Sequence, residues 1–213
     1  MDVRDPRTPA LETVQSAYDR WAADYIALFG DAGAAPDEDR DVIARWARTV
    51  VGPVLDAGCG PGHWSAFLHA LGLPVEGVDA TAAFVRSATA RFPAIPFRVD
   101  DLRGLDPAPA SFGGILAWFS LIHLDPGEVP AVLSTFSGAL RPGGTLLVGF
   151  FSGADLRPFD HRVVTAWAWP VERIERWLHA AGLEVLSRGE RPQRSGRVLA
   201  EVLARRPAET APA

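Results

Sequence analysis

The sequence contains no lysine, one cysteine and two tyrosines, and these absences restrict the kinds of protein that it can encode. A single cysteine, Cys59, excludes an intramolecular disulfide framework and is typical of a protein that works in a reducing compartment. All basic side chains other than histidine are arginines, and the formal net charge is −5. Because phosphate binding normally needs a basic surface, we expect nucleic acid not to be the main partner.

Long apolar runs are also missing. The longest, over 115–124, is about half of the roughly 20 residues that a membrane-spanning helix needs. The first five residues are polar or charged apart from Met1 and Val3, and they do not resemble a secretory signal. We therefore expect no membrane partner and a cytoplasmic location.

Strand-like and helical patterns alternate along most of the 213 residues. Strands are predicted over 54–57, 75–78, 97–99, 114–119, 145–151, 183–187 and 198–204. Helices are predicted over 13–29, 38–50, 64–71, 82–91, 126–140 and 171–181. This alternation predicts an α/β fold with a mostly parallel sheet and helices on both faces. The last two strands have no helix between them, which predicts an antiparallel pair at one edge.

The whole pattern indicates one domain over 1–205. Its N-terminal part, about 10–50, is predicted to form a helical cap. The residues 206–213 are rich in proline and alanine, and we expect them to form a disordered tail.

The most informative segment follows the first predicted strand and reads DAGCGPG over 56–62. A buried strand carries the acid Asp56, and the glycines Gly58, Gly60 and Gly62 then lead into a helix. Glycine has no side chain, so such a loop lets a nucleotide-like ligand approach the backbone closely. In open parallel sheets, ligands bind beyond the carboxyl ends of the strands, where this loop lies.

Several kinds of loop have glycines in this arrangement. A Walker loop requires Lys followed by Ser or Thr after its last glycine, and His63 and Trp64 exclude it here. A dinucleotide fingerprint requires Gly or Ala where His63 stands, although an NAD(P)-dependent oxidoreductase stays an alternative. A glycine-rich turn with a purely structural role is a second alternative. The spacing Asp-x-Gly-x-Gly-x-Gly resembles motif I of the class I S-adenosylmethionine-dependent methyltransferases.

The resemblance continues at the next two strands. Asp79, followed by Ala80, ends the second strand about 20 residues beyond the glycines, as the motif II acid does in this family. Such a carboxylate accepts both ribose hydroxyls, a device that nicotinamide enzymes share. The segment DDLR over 100–103 resembles the adenine-binding corner. There the resemblance implies Asp101 at the exocyclic amine and the Leu102 backbone at the ring edge, with Asp100 or a solvated loop as alternatives.

Three later segments resemble the family's motif IV, its fifth strand and the entry to its sixth strand. They lie at 111–123, 140–147 and 180–185, in the family's order. The resemblance implies a Rossmann-like fold with a seven-stranded, mostly parallel sheet and an antiparallel edge strand. It also implies S-adenosyl-L-methionine as the cofactor and a small-molecule acceptor, as in the ubiquinone and biotin pathway group. A non-catalytic regulator that binds the same cofactor is the remaining alternative.

The resemblance implies cofactor contacts at residues between 18 and 118. They are Tyr18, Tyr25, Asp56, Gly58, Gly60, Gly62, Asp79, Ala80, Asp101, Leu102 and Trp118. The two tyrosines are seven residues apart, so they share one face of the first predicted helix. In related enzymes this helix folds over the cofactor, which favours Tyr25 as a ligand of its carboxylate, and core packing is the alternative.

Candidates for the chemistry lie after the fourth and fifth strands. Trp118 ends the fourth strand, where an aromatic face can attract the sulfonium or form a wall of the pocket. His123 is a second candidate, with a structural role as its alternative. His161 is a candidate base, because the unperturbed pKa of histidine is near 6.5, and a surface-loop histidine is its alternative. Trp167 and Trp169 are predicted to line an acceptor pocket.

A metal site is not predicted. The five histidines do not form a spaced ligand set, and Cys59 is not near one in sequence. Methyl transfer from a sulfonium also requires no metal, because the positive charge already activates the methyl group.

Overall fold

The computed structural model of the chain describes residues 36–161, 165–193 and 196–208. The predicted helix over 13–29, with Tyr18 and Tyr25, lies outside these residues. So does the part of the predicted tail from residue 209 onward.

One mixed sheet forms the centre of the described part. Its strands are β1 (Val54–Ala57), β2 (Val75–Asp79), β3 (Phe97–Val99), β4 (Phe112–Trp118), β5 (Leu140–Ser152), β6 (Arg157–Phe159), β7 (Ala166–Trp169), β8 (Glu184–Pro192) and β9 (Val198–Arg205). The strands β3, β2, β1, β4 and β5 are neighbours in that order and are all parallel. The strand β9 runs antiparallel to β5, and β8 runs antiparallel to β9.

Helices cover both faces of this sheet. They are α1 (Asp37–Ala47), α2 (His63–Ala70), α3 (Ala82–Arg91), α4 (Val129–Ala139) and α5 (Val171–Ala180). On one face, Trp46 of α1 and Leu68 of α2 pack in a core with Leu116 and Leu147 of the sheet. On the other face, α4 and α5 contribute Phe136 and Ile174 to a larger core. No helix of the described ranges is long and apolar enough to cross a membrane.

The predicted fold class is confirmed, but the strand number is nine in the described residues and not seven. The two additional strands are β6 and β7, which pair with each other in antiparallel fashion. The last residue of β4 that pairs with β5 is Trp118, opposite Gly149. Beyond that point β5 continues, and β7 pairs with its residues Phe151 and Ser152. The strands β6 and β7 therefore supply hydrogen-bond partners to the part of β5 that extends beyond the end of β4.

Most element boundaries differ from the prediction by one or more residues, and the starts of α4 and β5 have identifiable causes. The helix α4 begins at Val129 and not at 126, because Asp125 forms a turn first. Its side chain accepts a hydrogen bond from the Gly127 N–H, and its carbonyl accepts one from the Glu128 N–H. The strand β5 begins at Leu140 and not at 145, since Leu140 pairs with Phe112 before a register shift.

Arg206, the first residue of the predicted tail, forms hydrogen bonds with the rest of the domain. The Arg206 N–H donates to the Gly144 carbonyl, and its own carbonyl accepts from the Gly143 N–H. Its guanidinium also donates to three carbonyls at the end of α4 and the start of β5, those of Ser137, Gly138 and Leu140. These bonds hold Arg206 against the sheet.

Candidate functional site

The glycine loop lies at the carboxyl end of β1 and leads into α2. Gly58 has a φ of +81°, and a Cβ there would lie 2.2 Å from the Cβ of Ser120, so only glycine fits. Gly60 has a φ of +53°, and no described heavy atom lies within 4 Å of the position that its Cβ would occupy. The loop is thus closed on the side of β4 and open at Gly60, where a ligand can approach the backbone.

Asp79, at the end of β2, fastens this loop to the neighbouring strand. One carboxylate oxygen accepts the Gly60 N–H at 2.9 Å, and the other accepts the Thr81 N–H at 2.8 Å. Burial raises the pKa of Asp79, and the bonds from Thr81 and Gly60 oppose that rise. The Thr81 side chain also hydrogen-bonds to this carboxylate. Of the roughly four acceptor positions of a carboxylate, at least one then remains for a ligand hydroxyl. Ala80 lies between Asp79 and Thr81, whose N–H donates to the Asp79 carboxylate.

Asp56 lies deeper, inside the end of β1. It is 2% exposed, and the Ser65 hydroxyl of α2 donates to its carboxylate at 2.6 Å. Burial raises the pKa of Asp56 to about 7, while the Ser65 hydrogen bond lowers it and the charge of Asp79 raises it further. The structure therefore shows Asp56 joining β1 to α2, and direct ligand contact by Asp56 stays a prediction. Sequence reasoning missed Ser65, although it stands on the buried face of α2 with Leu68.

This burial predicts a pH-dependent stability. The unfolded chain ionises Asp56 near 3.8, whereas the folded chain keeps it protonated up to about 7. The folded protein then holds one more proton in this range, so the free energy of unfolding falls as the pH rises from about 4 to 7. The contribution of this one group is at most about 4 kcal/mol.

We expect Asp56→Asn to remove this contribution. The unfolding free energy of the variant minus that of the wild type should rise between pH 4 and 7 and level off above pH 7. Urea unfolding across this range measures it, with Asp106→Asn as an exposed control whose difference stays flat. A flat difference for Asp56→Asn as well would contradict the assignment.

The acidic corner follows β3. The Asp101 carboxylate accepts hydrogen bonds from the backbone and guanidinium of Arg103. The distance from Nη2 of Arg103 to Oδ2 of Asp101 is 2.8 Å. The Asp100 carboxylate accepts the Asp101 N–H and forms an ion pair with Arg98. Leu102 is buried. Both acids thus lie at the carboxyl end of β3 with arginine partners, and their roles toward an adenine stay predictions.

The end of β4 carries an unusual backbone conformation. Trp118 is 8% exposed, and its ring lies edge-on to Trp64 at a centroid distance of 6.5 Å. Phe119 has a φ of +55°, which is rare for a bulky residue and often marks a functional site. Its N–H donates to the Gly149 carbonyl at 2.9 Å, and its ring contacts that of Trp118. This conformation brings Ser120 against the glycine loop, a contact that sequence reasoning missed.

The structure brings two of the candidate residues together. The rings of His123 and His161 are 5.4 Å apart between centroids, although 38 residues separate them in the sequence. The Nδ1–H of His123 donates to the Thr165 carbonyl at 2.9 Å, and burial lowers the pKa of His123. His123 is therefore a neutral imidazole near pH 7 whose Nε2 is the acceptor. His161 lies between this ring and the rings of Phe151 and Phe159.

The prediction that Trp167 and Trp169 line an open pocket is wrong. They are 3% and 0% exposed and belong to the core under α5. Residues two apart in a strand share one face, and this face of β7 points inward. Trp169 stacks on Phe150 and meets Trp177 edge-on.

Metal ligands do not converge here. Within 36–161, 165–193 and 196–208, no group of three or more His, Cys, Asp and Glu side chains is arranged to hold a metal ion. The single cysteine, Cys59, is buried in the loop, and burial raises the pKa of its thiol.

Comparison with known proteins finds sequence relatives that are named as methyltransferases. A family model described as a methyltransferase domain matches residues 54–144. The chain is 36% identical over 136 residues to an uncharacterized methyltransferase of Mycobacterium bovis, covering 62% of this chain and 68% of the relative. It is 33% identical over 129 residues to an uncharacterized methyltransferase of Bacillus subtilis, covering 57% and 54%. The chain spans about half the length of several curated relatives that it matches.

Solved structures share the fold at lower identity. The cyclase SpnF has a TM-score of 0.79 and 18% identity, covering 94% of this chain and 98% of the other. The 1,6-didemethyltoxoflavin N1-methyltransferase of Burkholderia thailandensis has a TM-score of 0.77 and 21% identity, covering 95% and 93%. That structure contains bound 1,6-didemethyltoxoflavin and S-adenosylhomocysteine. Since one neighbour is a cyclase and the other a methyltransferase, the fold alone does not identify the reaction.

Proposed function

Because the chain belongs to the methyltransferase domain family, we propose that it is an S-adenosylmethionine-dependent methyltransferase that acts on a small-molecule acceptor. The observation that carries this proposal is the junction of β1 and β2. There the backbone at Gly60, which is open among the described residues, lies beside Asp79, a partly buried carboxylate with at least one remaining acceptor position. A nucleoside needs such a pair, a backbone that it can approach and an acceptor for its two hydroxyls.

The residues of this junction fit S-adenosylmethionine. Asp79 would accept the ribose hydroxyls, and the loop over 58–62 would lie against the rest of the nucleoside. When bound, this cofactor supplies a methyl group that the positive charge on sulfur has already activated. The protein then has to orient the two reactants and exclude water. Tyr25, with Tyr18 on the same predicted helix face, stays our candidate for the carboxylate of the cofactor.

The end of β4 is the proposed meeting point of cofactor and acceptor. Trp118 has a largely buried ring that contacts Trp64, the second residue of the helix that follows the glycine loop. The face of such a ring attracts a cation. Beyond it, His161 lies next to the neutral ring of His123. We propose His161 as the group that takes a proton from the acceptor, and His123 as the residue that positions it. An imidazole in this place suits proton transfer near neutral pH.

Calorimetric titration with S-adenosylhomocysteine tests the cofactor, with NADH as the parallel ligand. Micromolar binding of S-adenosylhomocysteine alone is the expected result. Binding of NADH alone would overturn the proposal in favour of an oxidoreductase. If S-adenosylhomocysteine binds but a separate activity assay finds no turnover with any acceptor, a regulatory protein would be favoured instead. A cytoplasmic location and the lack of a nucleic-acid partner stay predictions from the composition.

We expect Gly58→Ala to reduce the affinity for S-adenosylhomocysteine by about tenfold or more. The new Cβ would meet Ser120 at 2.2 Å in a left-handed backbone, so the loop has to move away from β4. Gly72→Ala is a matched control, because Gly72 also has a positive φ, +90°, yet no described heavy atom lies within 4 Å of its Cβ position. The control should lose stability through strain but keep its affinity. Equal affinity in both variants would contradict a role for the Gly58 contact.

A further inference from the structure

An aromatic patch extends outward from Trp118 along the carboxyl edge of the sheet. It consists of the rings of Phe119, Phe151 and Phe159, which follow β4, lie in β5 and end β6. The ring centroids of Phe119 and Phe151 are 5.1 Å apart, and so are those of Phe151 and Phe159. All three rings are only partly buried. Large apolar side chains that remain partly exposed and contiguous often mark a binding surface.

One end of the aromatic patch carries a cation. The guanidinium of Arg197, the residue before β9, lies 4.8 Å from the ring centroid of Phe159 and 5.8 Å from that of Phe151. One of its N–H groups donates to the Asp160 carbonyl at 3.2 Å. Among the residues that the structure describes, no carboxylate forms an ion pair with it. A guanidinium has five N–H donors, so this one keeps donors for a planar anion.

The other end of the aromatic patch is the proposed reaction centre. The rings of Trp118 and Phe119 are 5.5 Å apart, so the three phenylalanines separate Trp118 from Arg197. The two histidines flank the middle of this row, with His161 5.8 Å from Phe151. A flat molecule with one end at the cation would extend along the aromatic patch toward Trp118.

We infer that the acceptor is a planar aromatic compound that carries a carboxylate, with its ring on the aromatic patch and its carboxylate against Arg197. Neighbouring rings of the patch are inclined by 59° and 84°, so one ring can stack on the acceptor while the next meets it edge-on. The guanidinium provides parallel N–H donors for the two carboxylate oxygens. Because Arg197 lies at the end away from Trp118, the carboxylate is recognised and a different group of the acceptor receives the methyl group. This inference rests on the proposed function, whose site it extends.

The test compares hydroxybenzoates with the corresponding hydroxybenzamides, which have the same ring and hydroxyl but no charge. Binding is measured by ligand-observed NMR or calorimetry at saturating S-adenosylhomocysteine. We expect the wild-type protein to bind at least one hydroxybenzoate about tenfold more tightly than its amide. In Arg197→Gln this preference should disappear. Arg197→Lys should keep part of it, because the charge remains but the planar fork is lost.

Arg141→Gln is the matched control, because Arg141 is an exposed arginine near the amino-terminal edge of the sheet. It should keep the full preference, and all variants should bind S-adenosylhomocysteine as the wild type does. Amides that bind as well as the carboxylates, no binding of any hydroxybenzoate, or an equal loss in Arg141→Gln would each overturn the inference. Failure of the wild type to bind S-adenosylhomocysteine would instead overturn the proposed function, whatever the carboxylate preference.

Discussion

Replacing Asp79 by alanine is expected to weaken the binding of S-adenosylhomocysteine about a hundredfold, or by roughly 2–4 kcal/mol. Two effects add in the same direction. The variant loses the carboxylate that we propose as the acceptor for the ribose hydroxyls. It also leaves the Gly60 and Thr81 N–H groups without the carboxylate that fastens the glycine loop to β2. Calorimetry on the folded variant measures the change, and Asp106→Ala, which removes an exposed acid, should leave the affinity unchanged.

A second ligand separates the two effects. The analogue of S-adenosylhomocysteine that lacks the ribose 2′-hydroxyl should bind the wild type more weakly than the parent compound does. If Asp79 accepts that hydroxyl, Asp79→Ala should discriminate much less between the two ligands, which gives a coupling energy in a double cycle. Full discrimination in the variant would mean that Asp79 acts only through the loop. Unchanged affinity for both ligands in a folded variant would rule out the ribose assignment.

The arrangement of the glycine loop beside Asp79 was largely predictable from sequence because its signals are local. The apolar run over 54–57, the glycines at alternate positions and the acid at the end of the next strand each depend on neighbouring residues. The fixed order of parallel strands then places them at one edge. The strands β1 and β3 and the helix α3 have the predicted bounds. The Ser65 contact with Asp56 is less obvious, since a serine on a buried helix face does not by itself indicate its partner.

The proposed acceptor side was not predictable in the same way, because it depends on long-range pairing. The strand β7 has four residues that are all buried, a length at which an apolar segment does not distinguish a strand from a loop. Its pairing with β5 and β6 determines that Trp167 and Trp169 point into the core. The meeting of His161 with His123 likewise requires the long connection after β5 to fold back. Arg197 belongs to no sequence motif, and its proposed role depends on the aromatic rings that lie beside it in the structure.

Trp118→Ala is expected to lower kcat more than the affinity for S-adenosylhomocysteine, with a loss in kcat of about a hundredfold. The ring of Trp118 fills the space above Gly149, where a Cβ would lie 2.7 Å from it, and it supports Phe119 in its left-handed conformation. Without the ring, the end of β4 relaxes and both reactants lose their orientation. The same truncation should cost about 3–5 kcal/mol of stability, because the side chain is 8% exposed.

Stability loss and catalytic loss therefore have to be measured on the same variants. Trp169→Ala is the matched control, since Trp169 is fully buried in the opposite core and its loss should destabilise the protein to a similar extent. Its folded fraction should keep kcat near the wild-type value, whereas that of Trp118→Ala should not. Trp118→Phe keeps an aromatic ring and should recover most of the stability and part of kcat. If Trp118→Ala lost affinity for the cofactor but little kcat, Trp118 would be a wall of the cofactor pocket, and the reaction centre would lie farther along the aromatic patch.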